Sequence, residues 1–106
     1  MDTRLLELIP LIAHWAYSKQ AIRRLWFYGS RVRGTQRPDS DLDVAIEIDH
    51  ISTEAETQLH WMDEKSQWLA ELQALSPFKV HLEMYGTPNV NAYLEDCSRL
   101  VYEREI

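Results

Sequence analysis

Between residue 3 and about residue 18, Leu5, Leu6, Leu8, Ile9, Ile12, Ala13 and Ala16 recur at helical spacing behind Asp2 and Thr3, two residues able to cap a helix. Pro10 lacks a backbone donor, so it kinks this helix or opens a second one. Trp15 and Tyr17 read as core and rim packing. Ile22 to Tyr28 is a bulky, partly aromatic run ending at a glycine, the pattern of a buried strand. Arg31 to Ser40 is polar, with Gly34 and Pro38, and reads as a loop with room for one helical turn after Ser30. From Asp41 the chain alternates: Leu42, Val44, Ile46 and Ile48 share one face of a strand, and Asp41, Asp43, Ala45, Glu47 and Asp49 the other. Ser52 or Thr53 can cap a helix running to Leu75, with Glu54 and Glu56 in its first turn and an apolar band of Leu59, Trp61, Met62, Trp68, Leu69, Leu72 and Leu75. Ser76-Pro77 ends it. Lys79 to Tyr85 alternates again, with Val80, Leu82 and Met84 opposed to His81, Glu83 and Tyr85. After a turn at Gly86, Pro88 and Asn89, the residues Val90, Tyr93, Leu94, Cys97, Leu100 and Val101 predict a last helix.

The pattern is helix, strand, strand, helix, strand, helix: an α+β fold whose helices lie on a sheet, in one domain over residues 1–106. A net charge of −6 argues against broad nucleic-acid binding, which needs Lys and Arg to displace counterions. It leaves open a nucleotide held through metal ions. The lone cysteine, Cys97, forms no internal disulfide and reads as structural. No apolar stretch approaches the roughly 20 residues needed to cross a bilayer. The run from Leu5 to Ala16 is broken by Glu7, Pro10 and His14 and lacks a basic leader, so the expectation is a cytoplasmic protein with no membrane association. His60, Asp63 and Glu64 lack the His-Glu-x-x-His pattern and read as a solvated helix face.

The chemistry is concentrated between Leu25 and Ile48. There Gly29-Ser30 ends one strand and, after a ten-residue spacer, Asp41-Leu42-Asp43 opens the next. This arrangement resembles the DNA polymerase β-like nucleotidyltransferases, and Gly-Ser-Arg-Val-Arg-Gly with Ser-Asp-Leu-Asp resembles their minimal, stand-alone members over essentially the full chain. The resemblance implies a small mixed sheet of about three or more strands with helices packed on one face. It also implies a site for a nucleoside triphosphate and magnesium, with two ions expected. The physics agrees: an α-phosphorus ringed by negative oxygens needs neutralisation, and an attacking hydroxyl needs its proton weakened, which paired divalent ions supply. Asp41 and Asp43, about 7 Å apart along the strand, are hard oxygen ligands on one face. Gly29 lets the backbone approach phosphates, and Ser30 can hold a phosphate oxygen, at the start of a short helix. Arg31, Arg33 and Arg37 can bind the triphosphate tail or support the loop, and the resemblance covers Arg33-Gly34 best.

Active relatives carry a third carboxylate on the following core strand. Here the matching place in Val80-His81-Leu82 holds His81, and Glu83 lies two residues on, on the same face. The expectation assigns catalysis and metal binding to Asp41, Asp43 and Glu83, and nucleotide binding to Gly29, Ser30 and Arg33. His81 is the alternative base or ligand, and an incomplete, inactive triad is a third possibility.

Minimal relatives commonly act as antitoxins that adenylylate a tyrosine of a HEPN-domain toxin. The resemblance thus implies transfer of AMP from ATP to such a partner. Two other functions stay open: an antitoxin that masks its toxin by contact alone, and a free-standing transferase for a small hydroxyl compound. Acceptor, base preference and a homo-oligomeric state are left open.

Overall fold

The computed structural model describes residues 3–48 and 54–104, with backbone only for 54–57. The proposed caps at Asp2, Ser52 and Thr53, the strand position of Asp49 and the side chains of Glu54 and Glu56 lie outside the described residues. The elements are α1 (Thr3–Tyr17), β1 (Ile22–Tyr28), α2 (Ser30–Arg33), β2 (Leu42–Ile48), α3 (Glu54–Leu75), β3 (Val80–Met84), α4 (Pro88–Asp96) and β4 (Ser98–Glu103). The strands form one mixed sheet in the order β3-β2-β1-β4. β1 is antiparallel to both β2 and β4, whereas β2 and β3 run parallel with α3 as their crossover. This is the α+β architecture expected of a nucleotidyltransferase-type fold.

The main core lies between one sheet face and the two long helices. α1 contributes Leu5, Leu8, Ile12, Trp15 and Ala16, and Pro10 is accommodated inside that single helix. α3 contributes Trp61, Trp68 and Leu72, packed on Leu25, Phe27, Leu42, Val44, Ile46 and Leu82. The apolar band read for α3 is narrower than expected. Leu59 and Met62 are 61% and 71% exposed. Two residues advance the helix by about 200°, so Leu59 stands nearly opposite the buried Trp61. A bulge between Ile22 and Arg24 brings Ile22 to the same core as Leu25 despite their odd spacing. Among the described residues no helix is long and apolar enough to cross a membrane.

The C-terminal end departs from the expected last helix. α4 stops at Asp96, Cys97 turns to an extended backbone (φ −159°, ψ 112°), and Ser98–Glu103 becomes β4 on the free edge of β1. Leu100 and Val101, read as helical, therefore pair in a sheet. The gain is a partner for β1's outer backbone groups, which would otherwise form an open edge. Arg104 locks this strand down: its guanidinium donates to the carbonyls of Gln20 (2.7 Å), Lys19 (3.0 Å) and Tyr17 (3.2 Å) in the α1–β1 turn.

α1 and α3 are joined by a polar contact at the rim of the core. Trp15 Nε1 donates to Glu71 Oε1 at 2.9 Å, and Lys19 Nζ lies 2.7 Å from the same oxygen. The hydrogen bonds from Lys19 and Trp15 hold the Glu71 carboxyl below the usual glutamate range. A carboxylate with a depressed folded pKa stabilises the fold above its unfolded pKa, and that contribution is lost as pH falls through the folded value. Glu71→Gln is therefore expected to cost about 1 kcal/mol at pH 7, with partial solvent screening already allowed for. The gap should shrink as pH drops below about 4, which urea titrations at pH 7 and pH 3 would measure.

Candidate active site

The second sheet face carries the polar alternation of β2 and β3. Because Leu42, Val44 and Ile46 are committed to the core, Asp43 and Ala45 must point the other way. Register then decides their neighbours. Asp43 pairs with Tyr28 on β1 and with His81 on β3, while Ala45 pairs with Glu83. Tyr28, Ala45 and Val90 of α4 form a small second core on this face, with Trp26 and Leu94 packed against it.

Where β1 ends, Gly29 adopts φ 80° and ψ −158°, and a single turn of helix follows as α2. The helical turn expected after Ser30 is present. A Cβ built on Gly29 would collide with Oδ2 of Asp43, so any other residue at this position would have to displace that carboxylate and adopt a disfavoured φ. The Gly-Ser turn and the aspartate strand thus meet in space, although Gly29 and Asp43 are separated by the whole loop. Gly34, in the left-handed conformation at φ 86°, closes α2 by donating from its N–H to Ser30 O at 2.9 Å.

Of the three arginines between the motif halves, Arg31 is only 2% exposed. Its Nε and Nη2 donate to Ser40 O (3.0 and 2.8 Å), Nη2 also donates to Pro38 O (3.3 Å), and its guanidinium lies 3.7 Å from the centroid of Phe78. It supports the loop that ends immediately before Asp41. Arg33 projects to the cleft, where its Nη2 donates to Asp96 Oδ2 of α4 at 2.9 Å. Arg37 is exposed, its backbone N–H donating to Ser40 Oγ at 2.8 Å in the turn.

A cleft of about 280 Å³ is lined by Tyr28, Gly29, Arg33, Asp43, His81 and Tyr93. A larger groove of about 560 Å³ lies between Tyr17 and Arg104, remote from the paired aspartates, and its arginine is spent on the turn carbonyls. Burial is the main reason the Asp43 carboxyl sits above the usual aspartate range; the charges of Asp41 and Glu83 add to it, and His81 opposes it. Burial, with the charges of Asp43 and Glu83, likewise raises the Tyr28 phenol, which stays protonated at neutral pH.

The structure brings Gly29, Arg33 and Asp43 to one cleft. Ser30 follows as the first residue of α2, and Asp41 lies at the entry to β2 with its charge felt by Asp43. On β3 the two alternatives are distinguished by register. His81 is the direct neighbour of Asp43, its Nδ1 3.2 Å from Asp43 Oδ1, and its Nε2 lies 3.0 Å from Glu83 Oε1. One imidazole therefore stands between the two carboxylates, in contact with both. A neutral imidazole has one N–H and can donate to one of them at a time. Tyr28 and Tyr93, which sequence reasoning treated as packing residues, are the unanticipated lining of the cleft. Only the place of Tyr28 immediately before Gly29-Ser30 hinted at this.

The donor set suits a hard divalent ion. Asp41 and Asp43 are hard oxygen donors that would hold such an ion, and Asp43 Oδ2 occupies the space beside Gly29 that a Cβ would fill. Among the described residues no group of three or more His, Cys, Asp or Glu side chains converges into a closed metal site.

Residues 11–105 match the family model described as polymerase beta, nucleotidyltransferase. The chain belongs to this nucleotidyltransferase family. Members of the family generally use a nucleoside triphosphate and a divalent metal. A comparison with curated proteins found no match. Among solved structures, the chain resembles one described as a toxin-antitoxin crystal structure with AMP-PNP, at 12% identity and TM-score 0.55, covering 96% of this chain and 73% of that one. It also resembles a mutant of the toxin-antitoxin MntA-HpeT, at 10% identity and TM-score 0.51, covering 99% and 76%. At these identities the likeness establishes the shared fold.

For this nucleotidyltransferase, Gly29→Ala is a direct probe of the meeting point. The methyl group would displace the Asp43 carboxylate and force a disfavoured φ, at a cost of about 1–3 kcal/mol. The expected result is a folded protein whose melting midpoint no longer rises with magnesium and ATP, measured by thermal denaturation with and without both.

Proposed function

We propose that the protein transfers AMP from ATP, with magnesium, to a hydroxyl of a protein partner, a tyrosine of a HEPN-domain toxin, and so acts as an antitoxin. The observation that carries this reading is the meeting of Gly29 with Asp43 in a cleft also lined by Arg33 and His81, which sets a carboxylate directly against the Gly-Ser turn. The toxin-antitoxin descriptions of both structural neighbours, one of them with AMP-PNP, support the biological role.

In this mechanism the acceptor oxygen attacks the α-phosphorus. The bond from that phosphorus to the bridging oxygen breaks, and pyrophosphate departs with the bonding electrons. Asp41 and Asp43 would hold divalent ions, which supply charge neutralisation and weaken the acceptor's proton when bound. Ser30 and Arg33 hold the phosphates from the α2 side. The acceptor's proton is taken on the β3 side. There the geometry favours His81 as the group beside the reacting oxygen and Glu83 as the carboxylate that orients its ring, a division different from the expectation that made Glu83 the third ligand.

The second reading, an antitoxin that masks its toxin by contact, draws on a different observation: an imidazole occupies the strand position beside Asp43 where a third carboxylate was expected. Incubation with α-labelled ATP, magnesium and the adjacent gene product separates the two. Label on the partner supports transfer; a tight complex without label at any magnesium concentration supports masking. His81→Ala should lower transfer by about 100-fold or more, as expected for a lost acid-base group, and Glu83→Gln by less. The reverse order would return the base to Glu83.

A further inference from the structure

We infer that Tyr93, backed by Tyr28, is the platform on which the nucleobase of the donor nucleotide stacks. This rests on the nucleotidyltransferase reading above and adds the part of the substrate that the phosphate and metal groups do not address.

Tyr93 is placed by α4. Thr87 caps that helix, its Oγ1 accepting from the Val90 N–H, and Val90 is buried on Tyr28 and Ala45. Tyr93 lies one turn on from Val90 and so shares its face toward the sheet. Its ring is stacked on Tyr28 with centroids 6.1 Å apart and planes at 11°. Tyr28 is itself buried and pairs with Asp43 across the strands. The platform is therefore fixed relative to the aspartate through one strand pair and one ring contact.

Despite that support, Tyr93 remains 55% exposed, and it lines the same cleft as Gly29 and Asp43. A flat aromatic surface left open at the mouth of a cleft that also presents Arg33, Asp43 and His81 is what a base requires, because every base has a π-face and a pre-set ring loses little freedom on stacking.

The direction also fits. Across the sheet, Asp43 stands between His81 on β3 and Tyr28 on β1. Proton removal from the acceptor belongs to the β3 side, which leaves the β1 side for the donor nucleotide. A cleft of about 280 Å³ is too small to enclose a nucleoside triphosphate, so the base lies at its rim, against Tyr93. Asp96, one turn beyond Tyr93 on α4, tethers Arg33 at the same mouth. One helix thus positions both the base platform and the arginine next to the phosphates.

Inorganic tripolyphosphate, which has no base, provides the discriminating probe. Binding of ATP and of tripolyphosphate, each with magnesium, is measured by calorimetry on wild type, Tyr93→Ala and Tyr93→Phe, with folding checked by circular dichroism. Tyr93→Ala is expected to weaken ATP by about ten-fold and Tyr93→Phe by no more than about two-fold, with tripolyphosphate bound equally by all three. If Tyr93→Ala binds ATP like wild type, or weakens tripolyphosphate as much as ATP, the platform is overturned. The transferase reading then survives provided Asp43→Asn still abolishes magnesium-dependent binding. If wild type binds neither ligand, both readings fall together.

Discussion

Asp43→Asn is expected to abolish magnesium-dependent nucleotide transfer while leaving the protein folded and no less stable than wild type. The two effects have one cause. Asp43 is a carboxylate held in a half-buried cleft beside Asp41 and Glu83, and its ionised form is disfavoured there chiefly by burial. A carboxyl whose folded pKa lies above its unfolded one binds more protons folded than unfolded, so its stability contribution falls as pH rises through that range. Wild type therefore carries a destabilising charge at neutral pH, and the asparagine variant does not. The variant's melting midpoint should match or exceed that of wild type at pH 7.5, and the advantage should vanish below about pH 4, where both side chains are neutral. For activity the sign reverses. The charge that burial penalises is the one that would hold a divalent ion, and losing several kcal/mol of transition-state neutralisation corresponds to about a thousand-fold or more in rate. Label transfer at both pH values, with parallel melts with and without magnesium and ATP, checks the pair. Transfer at the wild-type rate would remove Asp43 from metal binding.

Features set by local alternation were legible in the sequence. The apolar face of β2, with Leu42, Val44 and Ile46 directed to the core, obliges Asp43 to face the cleft, and this follows from a period of two without any tertiary information. The turn at Gly29 was legible for the same reason: an apolar run ending in Gly-Ser announces a change of backbone direction. α1 was read nearly to its final residue because its buried positions repeat on one face.

What escaped depends on partners distant in the chain. Ser98 to Glu103 carries too few apolar residues to declare its period, and it becomes a strand because β1 has a free edge. Tyr93 lines the cleft because α4 crosses above Tyr28, which no spacing within α4 reveals. The choice between His81 and Glu83 is of the same kind. Alternation puts both on one face, and only the parallel register of β2 with β3 shows that His81 stands beside Asp43.

Arg31→Ala should be the most destabilising of the substitutions in the motif, for reasons unrelated to phosphate binding. The sequence singled out Arg33 for nucleotide binding and gave Arg31 no separate role, but burial sets Arg31 apart. Arg31 is fully enclosed, its guanidinium joins the carbonyls of Pro38 and Ser40, and its flat face rests on Phe78. Phe78 belongs to the entry of β3, where Gln73 Nε2 and Ser76 Oγ donate to its carbonyl at 2.7 and 2.9 Å. Lys79 O then accepts from the Leu42 N–H at 2.8 Å. One side chain thus ties α2, the loop delivering Asp41 and the start of β3 into a single unit. Truncation leaves two carbonyls without their charged donor and a void beside an aromatic ring, so about 3 kcal/mol should be lost. For a domain of this size that lowers the melting midpoint by about 10–20 °C. Arg31→Lys should recover little, because a single ammonium cannot reproduce the planar fork that reaches both carbonyls while stacking on Phe78. Arg37→Ala, at an exposed turn, should stay within about 0.5 kcal/mol of wild type. Urea titration of the three variants tests this ranking. A stable Arg31→Ala with impaired ATP binding would instead make this arginine a phosphate ligand.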